Sequence, residues 1–474
     1  MQDAYNTWLN PPPPSAQSVA QEREINEITQ RAAAAHAARD QSWLEFIDGL
    51  RKDPNQLRGV RPTANGVDKR LYHLWLLLSQ TVDANTCYAI DSVAPVEPML
   101  GAEVAAALRD ALIQHWRLWR PRLKSTRATD EHQINSLDCM GIAGVSLEAR
   151  TRRRWAEQLS PDEAILAANY ATLEINGFPS WFAELAGAKP AEVRSVLFRE
   201  VAAELADSEP RSRYEVLEDL SRADNPIVEL MAPALFEELW RREDLAPSAL
   251  RPILSIVVRG LREDRQRLAE CAIARFNGTG EARIGGLYLG AAFAIDSAAA
   301  TDALMARLDT LQAGAQTALV EQILPSVFGT DVRSESARLV LTFASLERLV
   351  GVAFRTIRVE EDRNRISGHG YSPDERDDAE QARGAALNQL VGTPGRSTFN
   401  AIYRLAGNPD CPIPGTRLRE LARERAAQDS ESAPWLPAEV VAFEQTAETA
   451  PSTSKDLQRV ALRRLNDMQL ELLH

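Results

Sequence analysis

The sequence predicts an all-α chain, built as a HEAT-like or armadillo-like helical-repeat solenoid or as an irregular array of helical hairpins. Three observations predict it. Ala, Leu, Glu and Arg dominate while aromatics make up only 6%, a composition of strong helix formers. Alternating runs of β-branched residues are hard to find, so all-β and doubly wound readings have little support. From Ser160 onward, capped amphipathic segments with short connections recur at roughly 35–45 residues per helix–turn–helix unit, a period typical of stacked repeats.

The elements follow in order. Residues 1–20 hold Pro11-Pro12-Pro13-Pro14 and read as an extended, Pro-rich linker. A helix from about Val19 to Gly49 is carried by the Ala32–Ala38 run, with Trp43, Phe46 and Leu50 at helical spacing. A second, from Lys69 to Gln80, puts Leu71, Leu74, Trp75 and Leu78 on one stripe. A third runs from Gly101 to Leu118 and stops before Pro121.

Ser160-Pro161-Asp162-Glu163 has the pattern of a capping box, with Ser as cap, Pro at the first helical position and Glu reaching back. The same pattern returns at Ser372-Pro373-Asp374-Glu375. After Pro190, the residues Val193, Val196, Leu197, Val201 and Leu205 define one buried face. Further helices read at 226–242, 247–262, 264–276, 282–296, 299–312, 315–328, 335–357, 374–391, 396–406, 416–428, 437–447 and 455–473.

A chain of 474 residues exceeds one compact core. The segments group as a 1–20 linker, a 21–155 N-terminal helical subdomain, 156–358 HEAT-like repeats, and 359–474 C-terminal repeats expected to continue into a further domain.

Composition narrows function. The formal net charge is −13, which argues against a nucleic-acid binder over the whole length. Cys87, Cys139, Cys271 and Cys411 lie far apart with no C-x-x-C, which fits reduced thiols better than a disulfide framework. There is no signal-peptide pattern, and no apolar stretch reaches the ~20 residues that span a bilayer. The chain therefore reads as cytoplasmic, with no membrane partner.

Motifs for chemistry are missing. G-x-x-x-x-G-K-[ST] does not occur, and the glycines at 278, 280, 285 and 286 lack both the Lys and the G-x-G-x-x-G spacing. Gly144-Val145-Ser146-Leu147-Glu148 fails the hydrolase elbow at its last position. None of His36, His73, His115, His132, His369 and His474 pairs with another His or Cys at ligand spacing. His73 and His115 lie in Trp- and Leu-rich helices and read as core or boundary residues. The acids at 360–362 and at 374, 375, 377 and 378 have no nearby lysine. They read as helix-terminal and solvated charges. No catalytic residue, metal site or cofactor is expected.

Two features remain as candidate binding elements. One is a basic patch of Arg117, Arg120, Arg122 and Lys124, interleaved with Trp116 and Trp119, together with Arg150, Arg152, Arg153 and Arg154 next to Trp155. Arginine with aromatics grips phosphate and stacks bases; the plainer reading is an internal salt-bridge surface. The other is the polar loop from Glu360 to Tyr371, with Arg363, Arg365, His369, Tyr371 and Arg376 as possible partner-binding residues.

The stretch Tyr371-Ser372-Pro373-Asp374-Glu375-Arg376-Asp377-Asp378-Ala379-Glu380, followed by Thr393-Pro394-Gly395 and Ala433-Pro434-Trp435-Leu436-Pro437, resembles the helical-repeat region of large bacterial STAND-type (NACHT-like) NTPase proteins of the antiphage-defence type. The resemblance covers roughly residues 360–474. It implies an ATPase domain upstream and, in some members, a restriction-endonuclease-like domain downstream. The shared motifs are caps and turns, so no functional residue carries over.

The expected function is a non-catalytic scaffold or recognition segment, the sensor or connecting arm of such a protein, whose partners are a protein or the neighbouring domains. Three other readings compete. They are a free-standing protein-interaction scaffold, an all-helical enzyme using Arg363, His369, Tyr371 and Arg376, and a nucleic-acid module using Arg150–Arg154.

Overall fold

The computed structural model describes residues 16–60, 62, 68–82, 88–126, 134–206, 214–242, 245–328, 341–362, 374–393 and 396–407, with 418 and 420–422. Every regular element among them is a helix. The tetraproline and the helices expected at 437–447 and 455–473 lie outside the described residues. The chain divides into two compact units after Glu200, whereas composition placed a division after residue 155.

The first unit begins with α1 (Ala16–Lys52), so helix starts inside the segment read as linker. It continues with α2 (Lys69–Thr81), the short α3 (Glu97–Leu100), α4 (Ala102–Leu118), α5 (Ser136–Thr151), the short α6 (Trp155–Gln158), α7 (Pro161–Ala171) and α8 (Phe182–Ala188). Asp68 caps α2 by accepting from Arg70 N–H. Ser160 and Glu163 form the capping box of α7 as the sequence predicts. The core is built around Leu71, Leu74, Leu78, Leu108, Leu112 and Met140, all fully buried.

Sequence reading did not resolve α5, and the reason is physical. Residues 137–148 are buried on every side, so no polar face sets a helical period. Its close approach to α4 needs Gly144, where an added Cβ would lie 2.1 Å from the Leu112 carbonyl oxygen.

In α9 (Pro190–Ala206) the unit boundary is crossed. The second unit goes on with α10 (Glu215–Arg222), α11 (Asn225–Arg241), α12 (Pro247–Gly260), α13 (Arg265–Gly278), α14 (Ala282–Phe293), α15 (Ser297–Asp309), α16 (Ala313–Phe328), α17 (Phe343–Thr356), α18 (Glu375–Gly392) and α19 (Arg396–Gly407). Consecutive helices pack as hairpins, α11 on α12 and α13 on α14 most closely. The even helices also touch in series, α10 to α12 to α14 to α16 to α18, and so do α13, α15, α17 and α19. Within this unit each helix therefore has partners in its own row and in the facing row.

Two expectations shift. The helix read from 335 begins at Phe343, because Thr342 caps it by accepting from Ser345 N–H. The second capping box moves two residues along. Asp374, not Ser372, is the cap of α18; it accepts from Arg376 and Asp377 N–H, while Asp377 reaches back. A carboxylate suits the positive end of the helix dipole better than a hydroxyl does.

Candidate functional site

In the first unit the two basic stretches of the sequence meet on one carboxylate. Glu148, on the last turns of α5 and almost fully buried, accepts from Trp116 Nε1 at 2.9 Å. Both terminal nitrogens of Arg117 also donate to it, one of them at 2.7 Å. Arg152 adds a bond at 3.1 Å. Arg117 further donates to Glu163 of the α7 capping box at 2.9 Å and stacks over the Trp116 ring. One guanidinium thus joins α4, α5 and α7. Burial pulls the Arg117 pKa down, but Glu148 and Glu163 outweigh it, and the net shift is upward.

The rest of the patch divides. Arg120 is exposed and donates to the carbonyls of Arg117 and Trp119. Arg122 is exposed and Lys124 half-buried, and both have partners. Arg154, in the left-handed region at φ 53°, pairs with Glu157. Arg150 and Arg153 point into solvent. Trp116 and Trp155 are fully buried, so neither offers a face for a base to stack on.

In the second unit, Arg363, Arg365, His369 and Tyr371 lie outside the described residues. Arg376, the remaining member of that group, turns inward. It pairs with Glu321 of α16, with Glu361 at 3.5 Å and with Glu380 at 3.6 Å. Of the neighbouring acids, Glu361 pairs with Arg376, and Asp374 and Asp377 form the cap of α18. Asp362 pairs with the buried Arg383, which also donates to the Ile357 carbonyl at 2.7 Å. Among the described residues, no three His, Cys, Asp or Glu side chains converge in a way that could hold a metal ion. None of the described helices is long and apolar enough to cross a membrane.

A buried polar cluster in the first unit was not foreseen. His115 is fully buried, whereas His73 is exposed, contrary to the expectation that both are core or boundary residues. The helix stripe of α2 turns His73 outward, opposite Leu74 and Leu78. His115 Nε2 lies 2.9 Å from the Leu137 carbonyl, so that nitrogen carries the proton and donates, while Nδ1 has no partner. Burial lowers the His115 pKa against the opposing pull of Leu137. The imidazole stacks on Trp119, which donates to the buried Asp138 at 2.7 Å. Nearby, Glu174 accepts from the Tyr88 and Ile175 amides, and burial raises its pKa. Cys139 is pushed up to about 12 by burial, with the charges of Asp138 and Glu174 adding to it. A thiol held protonated is a poor nucleophile.

No protein-family model, no curated protein and no solved structure matches the chain.

Proposed function

We propose that the chain is a non-catalytic helical-repeat segment, HEAT-like in plan, that serves as the sensor or connecting arm of a bacterial STAND-type defence protein. The observation that supports the repeat reading is a ladder of arginines in the second unit. Arg242, at the end of α11, donates to the Leu205 carbonyl at the end of α9 at 2.6 Å. Arg275, in the last turn of α13, donates to the Trp240 carbonyl of α11 at 3.2 Å and lies over the Trp240 ring. Arg307, in the last turn of α15, donates to the Phe276 carbonyl of α13 and to Thr279 at 2.8 Å, 4.8 Å above the Phe276 ring. These rungs stand 33 and 32 residues apart (275 − 242 and 307 − 275).

Arg259, ending α12, does the same to the Ser221 and Ala223 carbonyls behind α10. Each cation meets the negative end of an earlier helix of the same row. Fastening of neighbour to neighbour is what a linear repeat array requires. Such an array presents extended surfaces for protein partners.

The STAND assignment rests on the resemblance near residues 371–437 alone. Reading the complete gene tests it. An open reading frame that carries G-x-x-x-x-G-K-[ST] ahead of this segment supports the assignment; a frame with no NTPase motif removes it and leaves a free-standing scaffold.

A further inference from the structure

The basic stretch that follows α4 is only partly used by the fold. It reads Arg120-Pro121-Arg122-Leu123-Lys124-Ser125, with no helix over 119–123 and a single 3-10 turn at Lys124–Thr126. Trp119 is extended at φ −84° and ψ 144°, and Pro121 disfavours helical backbone at Arg120. Arg120 and Arg122 are exposed, and Ser125 is half-buried. Alternate side chains of an extended chain share one side. Drawn out in that form, Arg120, Arg122 and Lys124 line one side of the segment that leads to the Ser125 hydroxyl.

That serine is fastened to one carboxylate. Its hydroxyl donates to Glu200 Oε1 of α9 at 2.8 Å, and its amide donates to Glu200 Oε2 at 3.0 Å. Glu200 is 1% exposed. It also accepts from Arg199 Nε at 3.0 Å. The neighbouring hydroxyl, of Thr126, donates instead to the Leu123 carbonyl at 2.9 Å. The turn is thus held on α9 through both donors of Ser125.

We propose that Ser125 is a phosphorylation site whose phosphate releases this turn from α9. The co-reactants are ATP and a protein kinase with carboxylates in its substrate cleft. Such a cleft selects basic side chains at fixed distances before the hydroxyl, and Arg120 and Arg122 stand five and three residues ahead of Ser125. Ser125 Oγ attacks the γ-phosphorus of ATP, and the bond from that phosphorus to the β,γ-bridging oxygen breaks. ADP leaves, and the hydroxyl proton passes to the kinase's base. The product carries a charge of about −1.5 to −2 at neutral pH and has lost the hydroxyl donor that Glu200 accepts. Set against a buried carboxylate, that charge is repelled. The turn then leaves α9, and Glu200 keeps Arg199. The inference is independent of the STAND assignment.

Incubation of the full chain with ATP, Mg²⁺ and the catalytic subunit of cyclic-AMP-dependent protein kinase, a kinase that reads basic sequences, tests it. Mass spectrometry maps the phosphate, and a peptide of residues 117–128 is treated in parallel. Chain and peptide should both be phosphorylated on Ser125, and Ser125→Ala should remove the site. Arg120→Ala with Arg122→Ala should slow the reaction of the full chain at least about tenfold, with unchanged circular dichroism because both positions are exposed. In the phosphorylated chain the Ser125 and Thr126 amides should exchange hydrogen at least about tenfold faster, the equivalent of one lost charge-assisted bond. A chain that stays unmodified overturns the proposal, whether or not the peptide reacts. So does phosphate on Thr126 in place of Ser125, a rate indifferent to the arginines, or phosphorylation of Ser125 with unchanged exchange.

Discussion

Replacing Arg307 by Ala removes one rung of the ladder and leaves the rest of α15 alone. The guanidinium makes two charge-assisted bonds, to the Phe276 and Thr279 carbonyls, and covers the buried Phe276 ring. Hydrogen bonds to a charged group contribute about 1.5–3 kcal/mol each, and a partly exposed cation–π contact about 0.5–1 kcal/mol. Arg307 is half-buried, and water can replace part of what the carbonyls lose. The net cost should therefore be about 2–4 kcal/mol. Arg307→Lys keeps the charge but not the fork, and should lose about half of that.

With two compact units in one chain, a single global unfolding energy is not well defined. The appropriate assay is native-state hydrogen exchange. In Arg307→Ala, amides of the last turns of α13 and α15 should exchange at least about thirtyfold faster, the equivalent of ~2 kcal/mol. Amides of α10 should change little, because an array coupled through neighbours confines the damage. Unchanged exchange in α13, or equal loss across the whole unit, would refute the ladder as the fastening of the array.

Three other outcomes are expected. Gly144→Ala should destabilise the first unit by about 1–3 kcal/mol, because its Cβ would strike the Leu112 carbonyl. Gly187→Ala, with nothing within 4 Å, should gain about 0.5–1 kcal/mol of helix propensity; urea melts of both variants compare the two. Arg117→Ala should cost about 2–4 kcal/mol by removing two of the bonds to the buried Glu148 and the tie to Glu163, while Arg150→Ala with Arg153→Ala should stay within about 0.5 kcal/mol. Equal effects in those melts would mean that the patch is not divided into internal and surface arginines. The last concerns pH. The folded pKa of His115 lies below its ordinary 6.5, so the unfolded chain binds more protons between the two values. Stability is then full above about 6.5 and is lost as pH falls toward the folded pKa. His115→Gln should flatten that part of a stability–pH profile, and an identical slope in the variant would exclude His115 as its source.

Much of the fold was legible because local chemistry fixes it. Ser160-Pro161-Asp162-Glu163 names a helix start without reference to anything distant, and the stripe after Pro190 names a buried face. What was not legible depends on partners remote in sequence. Helix α5 hides because it is enclosed on all sides, and Glu148 takes its meaning from Arg117, 31 residues earlier. The arginines at helix ends look like ordinary complements of the dipole until their carbonyl acceptors, 28–38 residues back, are seen. Likewise His73 and His115 have similar neighbours in sequence, and only the packing of α4 against α5 sends the second into the core. Of the candidate site residues, the basic stretches proved to be neighbours in space, and Arg376 proved to be an internal ion-pair partner.

The most direct test of the account is turnover by the purified chain, supplied with ATP and Mg²⁺ and, separately, with duplex DNA. The account predicts phosphate release and strand cleavage no faster than with heat-denatured protein. Saturable hydrolysis of either substrate, retained through purification and lost on replacing a residue of the His115–Asp138 cluster or the Arg117 corner, would contradict it.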